Sequence, residues 1–240
     1  MNRKKNQGFT LIEIAIVLVI IGLLLGGILK GQELITSARV RNMISQQDGV
    51  KAAFFGFQDR FRALPGDYTT ASINLKCQAT CLNGNGNGQI ESGAVPVSGS
   101  EVHEDLLSWT HLTAANFLNG SYNMTAGDAA ATDANSPKNA YSIYMQLIYD
   151  DNYADGGTAV RKHNLKTGNQ VPVEILAEVD RKIDDGNPLQ GGFRFSRYTP
   201  ASPTGLPAPA AAYAAGVCAS TTGTWFATNG ETNCGAASLF

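Results

Sequence analysis

Residues 9–29 form 21 consecutive positions with a single charge, Glu13. A helix of that length crosses a hydrocarbon core of about 30 Å, so the chain is expected to enter a membrane at some stage. The eight residues ahead of the run, Met-Asn-Arg-Lys-Lys-Asn-Gln-Gly, are polar and basic. By the positive-inside tendency they stay in the cytoplasm and the remainder faces outward. The chain beyond residue 29 exceeds the roughly 100–150 residues of a typical domain, enough to bury a core. With 18 Lys+Arg against 20 Asp+Glu, the net charge of −2 gives no electrostatic reason for nucleic acid as the main partner. The 26 Gly and 10 Phe scattered through the 240 residues argue against disorder or a coiled-coil rod.

An ordinary secretory signal would carry its small-residue cleavage site after the apolar run, where Gly26-Gly27 stands. Here Gly8-Phe9-Thr10-Leu11-Ile12-Glu13 puts the small residue before the run and a carboxylate at the fifth position of a chain beginning at Phe9. This pattern resembles the type IV prepilin motif shared by type IV pilins and the pseudopilins of type II secretion. The resemblance implies that a membrane-embedded aspartic prepilin peptidase cuts between Gly8 and Phe9 and that Phe9 is then N-methylated. Loss of the three positive charges Arg3, Lys4 and Lys5 takes the formal charge from −2 to −5.

A carboxylate in lipid is costly and persists mainly where it has a partner. In a staggered bundle of helices, Glu13 of one subunit can meet the Phe9 ammonium of its neighbour and fix the stagger; the family resemblance implies the same assembly role. Snorkelling of Glu13 to the nearby interface is the plainer alternative. Gly22, Gly26 and Gly27 interrupt the spanning helix, at up to about 1 kcal/mol each relative to Ala. They serve either as places for the helix to stretch or as surfaces for close helix packing. Lys30 and Gly31 stand where many family members carry a proline.

Beyond the membrane, Thr36, Val40, Met43, Gln47, Val50, Phe54, Phe57 and Phe61 alternate steps of four and three, one face of a helix. The predicted organisation is a leader at 1–8, a transmembrane and assembly helix at 9–29, the amphipathic half of the same spine at 30–62, and a globular head at 63–240. Such a spine would be near 80 Å at about 1.5 Å per residue, stopped by Leu64-Pro-Gly-Asp-Tyr68; a spine with an outward head is also what the resemblance implies. In the head, Ser100 is the expected cap of a helix with Val102, Leu106, Trp109, Leu112 and Phe117 as its apolar face, closed by Gly120. Residues 141–149 and 192–198 read as strands, and 224–228 and 238–240 as edge strands. Pro172 opens a helix over 173–184 with Ile175, Leu176, Val179 and Ile183 buried and Gly186 at its end. Pro200, Pro203, Pro207 and Pro209 mark a loop. The class is α+β, with the spine packed on a small antiparallel sheet carrying inserted helices.

Four cysteines in a translocated head suggest two disulfides. Three pairings are open; Cys77 with Cys81 and Cys218 with Cys234 is the simplest, the second worth about 3 kcal/mol in the chain-entropy model. A C-terminal disulfide loop resembles the variable exposed loop of type IV pilins. Zinc is the rival use, yet no His lies near either pair at ligand spacing. Asn83, Asn85, Asn87 and Glu91 match the first half of a calcium loop and form a candidate weak calcium site, but its twelfth position is Ala94 and its early ligands are neutral. Ordinary Asn-Gly turns are the alternative. Asp180, Asp184, Asp185 and Asn187 cluster at a helix end, where acids oppose the macrodipole; a counter-charge such as Arg181, Lys182 or a cation, or a simple capped turn, would account for them. His103 and His111 lie eight apart with no metal or nucleophile motif nearby and read as surface residues. No cofactor is required and no enzymatic machinery is evident.

The resemblance implies a structural subunit that polymerises with itself or with other pilins through its N-terminal helix, delivered by an inner-membrane assembly platform. It would reside in the inner membrane first, then in an extracellular pilus or periplasmic pseudopilus, serving adhesion, motility, DNA uptake or secretion. The alternative is a monomeric membrane-tethered module whose head binds calcium or a ligand.

Overall fold

The computed structural model describes residues 10–78, 81–97, 99–196 and 217–240. The leader at 1–8, Phe9, Arg197, Tyr198 and the proline-rich segment 200–215 lie outside the described residues. The chain divides into two units, Met1–Arg39 and Val40–Phe240, and the first helix, α1 (Leu11–Phe61), contributes to both.

In the second unit α1 buries Val40, Met43, Gln47, Val50, Ala53, Phe54 and Phe57, the periodic face read from the sequence. Thr36 is exposed and Phe61 half-buried, so the burial that makes this face begins at Val40. The helix stops at Phe61 because Arg62 turns left-handed (φ 55°) while its N–H still reaches the Gln58 carbonyl at 2.9 Å. The stop comes ahead of Pro65, whose missing N–H and ring bar a helical bond to the Phe61 carbonyl four residues back. The reversed chain then buries Pro65, Gly66, Asp67 and Tyr68. A short helix, α2 (Ala71–Asn74), comes next.

Strands β1 (Val95–Val97) and β2 (Ser100–Val102) form an antiparallel hairpin in which Ser100 pairs with Val97. Ser100 is thus a strand residue, and His103 caps helix α3 (Glu104–Ala114) without a side-chain bond. Leu106, Trp109 and Leu112 are buried as expected, and so are Glu104, Asp105, Ser108, Thr110 and His111 on the other faces. The helix closes at Asn116 (φ 63°), one turn ahead of Gly120.

The larger sheet has the order β3-β4-β6-β5, antiparallel throughout. Strand β3 is Gln146–Asp150, shorter than the stretch 141–149 suggests. The reason is Asn139: its Oδ1 accepts the N–H groups of Tyr141 (2.8 Å) and Ile143 (3.1 Å), while Nδ2 donates to the Thr167 carbonyl at 2.7 Å. This holds the segment as a turn with Ser142 left-handed. Strand β4 (Lys162–Lys166) forms where the sequence carries no periodic signal. Helix α4 (Val173–Ile183) opens after Pro172 and buries Ile175, Leu176 and Val179, but leaves Ile183 37% exposed. Strand β5 (Phe193–Phe195) lies at the sheet edge. Strand β6 (Ala236–Leu239) sits between β4 and β5, an interior place and not the edge its sequence suggests. Trp225 makes an isolated bridge with Ala219 in place of the strand expected at 224–228.

Apolar burial concentrates at two places along α1. Val40 and Met43 join Ile175, Leu176, Val179, Phe193, Phe195, Trp225 and the disulfide Cys218–Cys234. Val50, Ala53, Phe54 and Phe57 join Tyr68, Trp109, Leu112, Leu147 and Leu165. A second disulfide links Cys77 to Cys81. The fold is α+β, built on the long N-terminal helix with antiparallel sheets and a C-terminal disulfide.

Candidate functional site

Helix α1 begins with a reciprocal cap. The Glu13 carboxylate Oε2 accepts the backbone N–H of Thr10 at 2.8 Å and its hydroxyl at 2.7 Å. The Thr10 hydroxyl oxygen in turn accepts the N–H of Glu13 at 3.4 Å. This is the Thr-x-x-Glu capping box, which satisfies backbone donors that the first helical turn leaves open. Its signal stands in the sequence as Thr10 with Glu13 three residues later. A lone charge in an apolar run points to a neighbouring subunit, yet the nearest use of Glu13 is within its own helix.

From Leu11 to Ile35 the apolar side chains of α1 are exposed, Leu11 by 89%, Leu23 by 73% and Leu29 by 66%. This is the one helix among the described residues that is long and apolar enough to cross a membrane. It passes through Gly22, Gly26 and Gly27 without a break. A Cβ built on any of the three, or on Gly31, meets nothing within 4 Å, so nothing in this chain's own packing requires glycine there. Lys30 and Glu33 interrupt the last part of this stretch with a solvent-exposed pair at 2.7 Å, too exposed to contribute much.

The Asn/Gly loop is organised around carboxylates from outside it. Asp67 accepts the N–H groups of Gly86 (2.5 Å), Asn87 (3.0 Å) and Gly88 (2.8 Å). Glu104 accepts those of Asn85 (2.9 Å) and Glu91 (3.3 Å). The side-chain oxygens of Asn83, Asn85 and Asn87 take the N–H groups of Ser72, Asn87 and Gln89, and Asn85 and Asn87 donate their amides to Glu91. The loop thus turns its amide hydrogens toward anions. Burial pushes Glu104 up to about 7, with Asp67 and Glu91 adding in the same direction, and raises Asp67 as well. Sequence spacing gives no hint that Asp67 and Glu104 serve this loop, because the contacts join positions about 20 residues apart.

Of the two histidines of this region, read as surface residues from the sequence, His111 does not lie at the surface. His111 is fully buried in α3. Its Nδ1 accepts the Gly66 N–H at 3.0 Å and its Nε2 lies 2.9 Å from the Leu82 carbonyl, which fixes the neutral Nε2–H tautomer. Burial lowers its pKa to about 4. Gly66 is held at φ 90°, where a Cβ would stand 2.3 Å from the Glu104 carbonyl oxygen, so the Pro-Gly-Asp turn admits no side chain at that position. His103 is partly buried, with Nδ1 2.7 Å from the Ser92 carbonyl.

No curated protein and no solved structure matches the chain. Residues 3–29 match the family model of the prokaryotic N-terminal methylation motif. That match spans the basic leader, Gly8, Phe9, Glu13 and the apolar run, and by it the chain carries the hallmark of the type IV pilin and pseudopilin family.

Proposed function

We propose that the protein is a structural subunit, cut between Gly8 and Phe9, N-methylated on Phe9, and polymerised through the 9–29 helix into a type IV pilus or pseudopilus. The observation that carries this reading is the exposed apolar stretch of α1 from Leu11 to Ile35, headed by the motif. Exposed apolar area of that extent needs lipid or partner helices to cover it. Glu13 supplies a fixed charge near its start, and pairing with the Phe9 amine of an adjacent subunit would neutralise both. The partners are then other pilin subunits, the prepilin peptidase and an inner-membrane assembly platform, and the protein moves from inner membrane to filament. The methylation motif belongs to structural subunits, and the reading assigns no catalytic role.

One observation favours the tethered-module alternative: Glu13 already has an intrachain use as the Thr10 cap, so its presence alone does not demand a neighbour. The deciding experiment is N-terminal sequencing and mass spectrometry of material sheared from cells. Wild type should yield filaments whose subunits start at N-methylated Phe9, and Gly8→Leu should leave the uncut chain in the membrane. Processed protein that never leaves the membrane in sheared filaments would instead support the tethered module.

A further inference from the structure

Five Asn-Gly steps occur in the chain, at Asn83, Asn85, Asn87, Asn119 and Asn229. An asparagine followed by glycine is set up to modify itself, because glycine has no Cβ to hinder the approach of its own backbone nitrogen. Once deprotonated, that nitrogen can attack the side-chain carbonyl carbon of the asparagine before it. The five steps differ in what holds the glycine N–H.

In the 83–88 loop every such group is engaged. The Gly84 N–H donates to the Tyr68 carbonyl at 3.0 Å, and Gly84 is packed so closely that a Cβ there would stand 2.2 Å from the Gly66 carbonyl oxygen. The N–H groups of Gly86 and Gly88 donate to the two oxygens of the Asp67 carboxylate. Taking a proton from an N–H that faces a carboxylate sets two negative charges together, so these bonds oppose the first chemical step. Asn85 and Asn87 are fixed as side chains too, each accepting the backbone N–H two residues on and donating its amide to Glu91. Burial is not what protects this part of the loop, since Gly86, Asn87 and Gly88 are exposed. Asn119, Gly120, Asn229 and Gly230 are exposed as well. Among the described residues, however, the N–H groups of Gly120 and Gly230 have no hydrogen-bond partner, and neither do the side chains of Asn119 and Asn229. A Cβ built on Gly230 meets nothing within 4 Å, and one on Gly120 meets only the Tyr122 ring, at 3.2 Å.

We propose that Asn229, in the loop closed by Cys218–Cys234, is a site of spontaneous deamidation, with Asn119 as a second, and that the 83–88 loop is shielded from the same reaction. The Gly230 nitrogen loses its proton to hydroxide and attacks Cγ of Asn229. The new C–N bond forms as the Cγ–Nδ2 bond breaks, and the departing nitrogen takes a proton from water and leaves as ammonia. Water then adds to either carbonyl of the cyclic imide and opens it to aspartate or isoaspartate. One water is consumed and one ammonia released, with no change of oxidation state. Each event adds a negative charge two residues ahead of Glu231, whose carboxylate already holds the N–H groups of Thr232 at 3.1 Å and Asn233 at 2.9 Å. The isoaspartate product also inserts a methylene into the backbone. The disulfide loop therefore gains charge and changes course as the protein ages, while the loop organised by Asp67 keeps its amides.

The test incubates the full-length protein in detergent at mildly alkaline pH and follows each step by peptide mapping with mass spectrometry, which reads the exchange of amide for acid site by site. A reduced sample in urea is the reference, because there the folded structure no longer holds any of the glycine N–H groups. In the folded protein Asn229 and Asn119 should convert at rates close to the reference. Asn83, Asn85 and Asn87 should lag their own reference rates at least about tenfold, the factor that one charge-assisted hydrogen bond supplies. The proposal is overturned if Asn229 or Asn119 stays intact in the folded protein while the reference converts, or if Asn85 and Asn87 convert in the folded protein as fast as in urea.

Discussion

His111 sits where the chain after α1 and the Asn/Gly loop meet α3, bonded to one backbone group of each segment. Its pKa of about 4 in the folded protein, against an ordinary value near 6.5, makes it a source of acid sensitivity. Between those values the unfolded chain takes up a proton that the folded chain refuses, so its contribution falls as pH drops through this window. From pH 7 to pH 5 the loss is about 2 kcal/mol. Glu104 and Asp105, raised by burial to about 7 and about 6, have the opposite slope, since the folded chain holds their protons more tightly. Wild type should therefore show a muted acid response. His111→Gln keeps a donor for Leu82 and an acceptor for Gly66 but removes the titration. Relative to wild type it should gain about 2 kcal/mol between pH 7 and pH 5 in urea denaturation, and a pH-independent difference would mean that His111 is accessible to protons. This burial is not legible in the sequence. The eight-residue spacing of the two histidines suggests exposure, whereas α3 is enclosed on faces supplied by segments distant in sequence.

Elements whose character is local are legible. The face from Val40 to Phe57 and the helix opening after Pro172 arise from periodicity and from proline geometry. Strand β4, Lys-His-Asn-Leu-Lys, is not legible, because its polar residues are made tolerable by partners on β3 and beyond. Lys166 is 2% exposed; its ammonium reaches Asp150 Oδ1 at 2.8 Å and the Asn152 carbonyl at 3.1 Å, and Asn164 also donates to Asp150 Oδ1 at 2.8 Å. The interior place of β6 is equally non-local, fixed by pairing with both β4 and β5. Removing one member of a buried pair leaves the other charge uncompensated. Lys166→Met should cost about 3–5 kcal/mol in urea denaturation, and Asp150→Asn with Lys166→Met should recover much of that loss. A double variant no more stable than the single one would show that the pair holds the sheet by its hydrogen bonds and not by charge compensation.

At the scale of the molecule, the N-terminal motif is legible because it is compact: leader, small residue, acid and apolar run lie within residues 3–29. The head is legible only in class, since its apolar clusters depend on long-range pairings. Assembly is where the motif and the structure meet, and Glu13 has two separable properties there. It is a hydrogen-bond acceptor for Thr10, and it is a charge in a stretch otherwise apolar. Glu13→Val removes both, while making membrane insertion easier. Glu13→Gln keeps an acceptor for the Thr10 N–H and removes only the charge. If Glu13 neutralises the Phe9 amine of an adjacent subunit, either change leaves that ammonium unpaired in low dielectric, repeated at every subunit. Both variants should then insert and be cut normally but yield at least about tenfold fewer filaments by shearing and electron microscopy. N-terminal mass spectrometry separates this from a failure of methylation. Filaments restored by Gln but not by Val would assign Glu13 to the helix cap alone, and wild-type yield from both would remove the carboxylate from assembly and strengthen the tethered-module alternative.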